Sequence, residues 1–209
     1  MSEQEKPTQG GMSRTVVHAQ ITLTTTESQR LFKRVFERTD TALMWLDTIY
    51  DRMSAVEQFS GVFESLDNRL SAVMQVIEDG KAQMAQLAEE EGPADIEVEH
   101  TAPQRLPANI SHPVSMKLMR LFTAFDAYMQ EVNSLWILGI LNRPQKKEAA
   151  ARVRKGISEI CLTIMRTNSS AQALYRKAKA AGLPVTRLAD TEDEADTEFE
   201  EELPKAATG

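Results

Sequence analysis

Polar and apolar residues alternate in residues 16–24, VVHAQITLT, without a break from Val17 onward. Val17, Ala19, Ile21 and Leu23 fall on one side of an extended chain, and His18, Gln20, Thr22 and Thr24 fall on the other. A lone strand of this kind is not stable in water. It has to pair, either with a second strand of the same chain or with a second copy. The spacing then turns helical. Thr24 and Glu27 have the separation of a capping box, and Leu31, Val35, Arg38, Ala42, Trp45 and Ile49 follow at steps of four and three. That stripe fits one long helix, or two that break near Thr39 and Asp40. A further helix is predicted over residues 61–90, with Phe63, Leu66, Leu70, Val73 and Ile77 on one face and a fray or bend at Asp79 and Gly80.

Residues 92–107 hold three prolines and a short alternating piece at 96–98 with the pattern of a brief strand, so they read as a linker between two halves. The organisation expected is a disordered leader at 1–13, a strand and long helices at 14–91, the linker at 92–107, a basic helical half at 108–187 and a disordered acidic tail at 188–209. Ile110, Ser111 and Pro113 launch a helix with Leu118, Phe122, Phe125, Met129, Val132 and Trp136 on its inner face. Asn142 and Pro144 start the last helix, with Val153, Ile157, Ile160 and Ile164 turned inward, and Gly182 and Pro184 end it. Trp45 and Trp136 both read as core. Residues 23–36 (LTTTESQRLFKRVF) can be laid without a gap on residues 110–123 (ISHPVSMKLMRLFT). If this is an internal duplication, both strands of a ribbon come from one chain.

Charge changes the picture once it is divided along the chain. The formal net charge is −7, but residues 189–209 hold nine acidic groups against Lys205, while residues 143–187 hold eleven Lys or Arg against Glu148 and Glu159. A strongly basic helix is therefore followed by an acidic tail with too little apolar content to fold. The single cysteine, Cys161, lies beside Ile157, Ile160 and Ile164, as a small buried hydrophobe would, and excludes an intrachain disulfide. With no apolar signal core at the start and no apolar run long enough for a bilayer, a cytoplasmic protein off the membrane is expected. His18, His100 and His112 share no metal-ligand spacing, and no phosphate loop or nucleophile elbow is present, so neither a cofactor nor an enzyme is expected.

The segments ITLTTTESQRLF and NISHPVSMKLMRLFTAFDAYMQEVNSLWILGILNRPQ, with Phe125–Asp126 and the G-x-L-x-R at residues 139–143, resemble the AcaB-like proteins of integrating conjugative elements and large conjugative plasmids. The resemblance covers most of residues 15–180. It implies a cytoplasmic protein of a mobile element, with at least one branch of the family similar to a transcriptional activator of ribbon-helix-helix fold. The fold class expected is mainly α, long amphipathic helices with a short two-stranded β ribbon and ribbon-helix-helix-like elements.

In such a fold, side chains at alternate ribbon positions meet base edges in the major groove. His18, Gln20 and Thr22 are the candidates. Arg30, Lys33, Arg34 and Arg38 line the polar side of the first helix, and Thr39 and Thr41 would offer hydroxyls and amides to phosphate if a helix began there. Lys146, Lys147, Arg152, Arg154 and Lys155 form a denser basic set whose mutual repulsion a polyanion would relieve. Candidate phosphate contacts are therefore Arg30, Lys33, Arg34, Thr39, Thr41, Lys146, Lys147, Arg152, Arg154 and Lys155. Two function classes follow. One is a homodimeric regulator binding double-stranded DNA for a mobile element. The other is a non-enzymatic helical adaptor for another protein of conjugation or element maintenance, with the edge strand and basic faces merely solvated.

Overall fold

The computed structural model describes residues 15–53, 61–92 and 98–182. The alternating segment forms strand β1 (Val17–Leu23), followed by helices α1 (Thr26–Arg52) and α2 (Val62–Glu91); strand β2 (Gln104–Ile110) and helices α3 (Pro113–Ile137) and α4 (Arg143–Ala180) repeat that order. The leader 1–13, the tail 188–209 and most of the alternating piece at 96–98 lie outside the described residues. In both units two residues join strand to helix, Thr24 and Thr25 in the first, Ser111 and His112 in the second. The gapless overlay of residues 23–36 on 110–123 thus sets strand end on strand end and helix start on helix start.

β1 and β2 pair antiparallel within the chain, from Val17 opposite Ile110 to Leu23 opposite Gln104. No second copy is needed to complete the ribbon. Pro107, facing Gln20 at its middle, is tolerated because each strand of a two-stranded ribbon is an edge with one unpaired side. Below the ribbon, Ile21, Leu23, Leu106, Ala108 and Ile110 are buried in the same core as Leu118, Phe122 and Phe125 of α3. The helices interlock: α1 packs along α4 and α2 along α3, each first helix lying on the second helix of the other unit.

α1 does not break at Thr39. That residue is fully buried in mid-helix, and its hydroxyl donates to the Val35 carbonyl oxygen at 2.8 Å. The inner face of α1 also differs from the predicted stripe. Phe32, Phe36, Leu43 and Leu46 are buried, Arg38 is exposed, and Trp45 is 38% exposed. Trp136 is likewise turned outward at 41% exposure, with Leu135 taking the core position beside it. α2 runs unbroken through Gly80, where the absence of a side chain makes room for the Tyr128 ring; a Cβ there would stand 2.9 Å from it. Cys161 is buried as expected, and burial pushes its thiol up to about 11, so it stays protonated and inert.

The helix starts are held by reciprocal long-range caps. The Thr24–Glu27 capping box is not formed, and Asp126 of α3 reaches the start of α1 instead. Its carboxylate accepts from the backbone N–H of Thr24 and of Thr25, each at 2.8 Å, from the Thr25 hydroxyl at 2.8 Å and from the Ser28 hydroxyl. Asp40 of α1 does the same for the second unit, accepting from Ser111 N–H at 3.0 Å and Ser111 hydroxyl at 2.8 Å. His112 completes the start of α3 as N-cap, its Nδ1 accepting from Val114 N–H at 3.1 Å. Among the described helices only α4 uses a local capping box, between Asn142 and Gln145.

Candidate nucleic-acid interface

Alternation on two paired strands gives the ribbon one face for the core and one for solvent. The solvent face carries His18, Gln20 and Thr22 from β1 and Arg105, Pro107 and Asn109 from β2, all exposed. The register sets them as three cross-strand pairs, His18 with Asn109, Gln20 with Pro107 and Thr22 with Arg105. His18 Nδ1 donates to Asn109 Oδ1 at 2.9 Å, which orients both side chains. Gln20 faces a proline, which offers its amide no competing polar group. The ribbon brings the three predicted base-reading residues onto one exposed surface.

It adds two that the sequence reading missed. Arg105 and Asn109 sat in a proline-marked linker and at a helix launch, although Leu106, Ala108 and Ile110 do carry the two-residue period around Pro107. A guanidinium can bond guanine O6 and N7 together, and the amides of Asn and Gln can bond adenine N6 and N7.

The two ends of the ribbon differ in charge. Because Asp126 holds Thr24 and Thr25, the Leu23 end lies against the middle of α3. Near this end Lys33 Nζ donates to Gln104 Oε1 at 2.8 Å, and Arg30, Arg34 and Arg154 line one groove with Thr26, Glu27 and Leu31. Trp136 follows Asp126 by ten residues, about 15 Å along the helix axis. Lys146 Nζ sits 3.9 Å over its ring, a cation–π contact that keeps the ammonium at the surface. At the opposite end, where Val17 pairs with Ile110, acids dominate. Lys117 Nζ is 2.6 Å from Asp67, Lys117 and Arg120 share a groove with Asp67 and Glu78, and His112 lies 3.7 Å from Asp47 while stacking on Phe63. Burial holds the His112 imidazole below its ordinary range, against the opposing fields of Asp47, Asp40 and Asp67. The helices carry the same contrast: α4 has ten Lys or Arg against Glu148 and Glu159, and α2 has seven Asp or Glu against Arg69 and Lys81.

Of the predicted phosphate contacts, Arg30, Arg34 and Arg154 are gathered together, and Lys147 and Arg152 are exposed on α4. Lys155 is exposed and paired with Glu159 at 3.8 Å, one helical turn on. Thr39 and Thr41 require correction. Both lie inside α1, where the backbone amides are already used, and their hydroxyls donate to the carbonyl oxygens of Val35 and Glu37 at 2.8 and 2.9 Å. With no helix start there, neither offers a phosphate site. Among the described residues, no group of three His, Cys, Asp or Glu side chains is placed to hold a metal ion, and no helix is long and apolar enough to cross a membrane.

No family model matches the chain, and no curated protein matches it. Its structure is similar to the crystal structure of selenomethionine-containing AcaB from uropathogenic E. coli, with a TM-score of 0.72 and 22% sequence identity over 91% of this chain and 100% of that one. The likeness is one of fold, and the fold is AcaB-like.

Proposed function

We propose that this protein is a DNA-binding regulator of a mobile genetic element, reading the major groove with the outer face of its β ribbon in the manner of ribbon-helix-helix proteins. The observation that carries the reading is the exposed set His18, Gln20, Thr22, Arg105 and Asn109 on one face of a paired ribbon. A two-stranded ribbon fits the major groove, and these residue types match its donor and acceptor pattern. Arg30, Arg34, Arg154, Lys146 and Lys147 hold the flanking phosphates, and Lys33, Arg152 and Lys155 add to the positive field. The AcaB-like fold agrees with the resemblance read from the sequence, and that resemblance implies regulation. Since one chain completes the ribbon, readout does not depend on the homodimer that the sequence suggested.

Binding measured against duplexes of its own upstream region tests this. Specific sites are expected to bind about a thousandfold more tightly than random duplex, with affinity falling steeply as salt rises. Gln20→Ala is expected to cost about 1–3 kcal/mol at the base it reads and to leave other positions alone. Lys147→Ala is expected to weaken all duplexes alike and to lower the salt slope by about one. Equal affinity for every sequence, unchanged by either variant, overturns the proposal.

The acidic stretch at residues 189–209 follows the basic α4 in sequence. Tethered there, it competes with nucleic acid at high local concentration and suppresses weak binding most. Its deletion is expected to raise affinity for random duplex more than for a specific site; equal affinity before and after deletion removes the competition.

The adaptor reading draws on a separate observation, the outward placement of Ile137 at 63% exposure beside Trp136. It predicts no shift with any duplex, and loss of a protein partner on Ile137→Glu.

A further inference from the structure

We infer that a single chain engages DNA in one orientation only, on a site without two-fold symmetry, and that the Leu23 end of the ribbon is its sole phosphate anchor. This rests on the DNA-binding reading above. A ribbon assembled from two identical strands presents the same residues twice, related by a two-fold axis, and asks for a matching repeat in the DNA. Here the two strands have different outer faces. Gln20, opposite Pro107, separates a His18–Asn109 pair near one end from a Thr22–Arg105 pair near the other. Rotating the ribbon by half a turn would put an imidazole–amide pair where a guanidinium had been, so the two directions along the duplex are chemically distinct. Arg105 favours guanine on its side, and Asn109 favours adenine on the other.

The flanks break the symmetry in the same sense. Corresponding positions of the two first helices under the overlay are Arg30 with Lys117 and Lys33 with Arg120. In the first unit the partner helix α4 brings Arg154 into the groove with Arg30 and Arg34. Glu27 lines the same groove, but among the described residues none of the three guanidiniums is ion-paired with it or with another acid, so three positive charges against one negative leave the groove open to an anion from outside. In the second unit the partner helix α2 brings Asp67 and Glu78 to Lys117 and Arg120, and Lys117 is already paired at 2.6 Å. A phosphate arriving there has to displace a carboxylate and lie beside others. The basic end therefore gains counterion release that the other end does not.

The test uses the full chain and a library of random duplexes enriched by repeated binding, followed by sedimentation for stoichiometry and by phosphate-ethylation interference on the enriched sequence. The expected result is a sequence lacking two-fold symmetry, one chain per duplex and interference on one flank. Arg34→Ala and Arg154→Ala are each expected to weaken binding about tenfold, whereas Lys117→Ala and Arg120→Ala change it less than about threefold. Enrichment of an inverted repeat with interference on both flanks overturns the one-sided engagement and leaves DNA reading intact. Enrichment of no sequence at all overturns both.

Discussion

Asp126→Ala is expected to destabilise the protein by about 3 kcal/mol, read as a lower midpoint in urea with an unchanged slope. The substitution strips the acceptor from two backbone N–H groups and two hydroxyls at the buried start of α1. An ordinary N-cap loss costs about 1 kcal/mol. The larger figure reflects a charged acceptor and several donors left without partners. Asp126→Asn keeps one carbonyl oxygen and is expected to cost about half as much. Stability equal to the parent in Asp126→Ala would show that the cap contributes nothing.

The same carboxylate sets an acid limit. Burial alone would raise its pKa, but hydrogen bonds from the Ser28 hydroxyl, the Thr25 and Thr24 N–H groups and the Thr25 hydroxyl outweigh burial and hold it below the ordinary carboxylate range. The group is thus ionised more readily folded than unfolded. Its contribution is complete above the ordinary carboxylate range and is lost as pH falls through and below it. His112 acts earlier in the same direction. Held below the ordinary imidazole range and accepting at Nδ1 from Val114, it stabilises the neutral-pH fold and loses that contribution as pH falls below about 6.5.

These contacts mark where reading the sequence succeeds and where it stops. β1 was legible because its period of two is unbroken over seven residues, and the inner stripe of α4, Val153, Ile157, Ile160 and Ile164, because its apolar residues recur at steps of four, three and four, a spacing strong enough to override the strand preference of β-branched side chains. β2 was hidden by Pro107. A proline argues against a strand unless the strand is known to be an edge, and that knowledge requires the partner. Arg105 and Asn109 were lost with it. The caps were misread for a related reason. A capping box is a local pattern at a spacing of three, whereas Asp126 lies 101 residues from Thr25. Trp45 and Trp136 share their spacing with the core stripes, but each sits on the margin of a helix whose neighbouring positions, Leu46 and Leu135, are the ones covered. A long helix touching several neighbours has a buried face broader than a single stripe, so periodicity alone does not separate its margin from its centre.

Phe122→Ala is expected to have the largest effect of any single truncation, about 4 kcal/mol, and to unfold both units together. Phe122 is fully buried and meets Phe32 edge-on at 5.2 Å and Phe36 at 6.3 Å, while those two rings stack at 4.5 Å. The ring therefore joins α3 of the second unit to α1 of the first beneath the ribbon. Each unit buries its apolar faces on the other, through the ribbon and through the α1–α4 and α2–α3 contacts, so neither retains a core once the junction fails. Trp45 in the first unit and Trp136 in the second allow this to be followed separately, in Trp45→Phe and Trp136→Phe backgrounds. Coincident unfolding midpoints are expected in the parent, and an equal downward shift of both in Phe122→Ala. A shift confined to one tryptophan would mean that the units unfold independently. Coincidence has a consequence for function: the ribbon has no strand pairing without both units, so the fraction of chains able to present His18, Gln20, Thr22, Arg105 and Asn109 on one face falls in step with global stability.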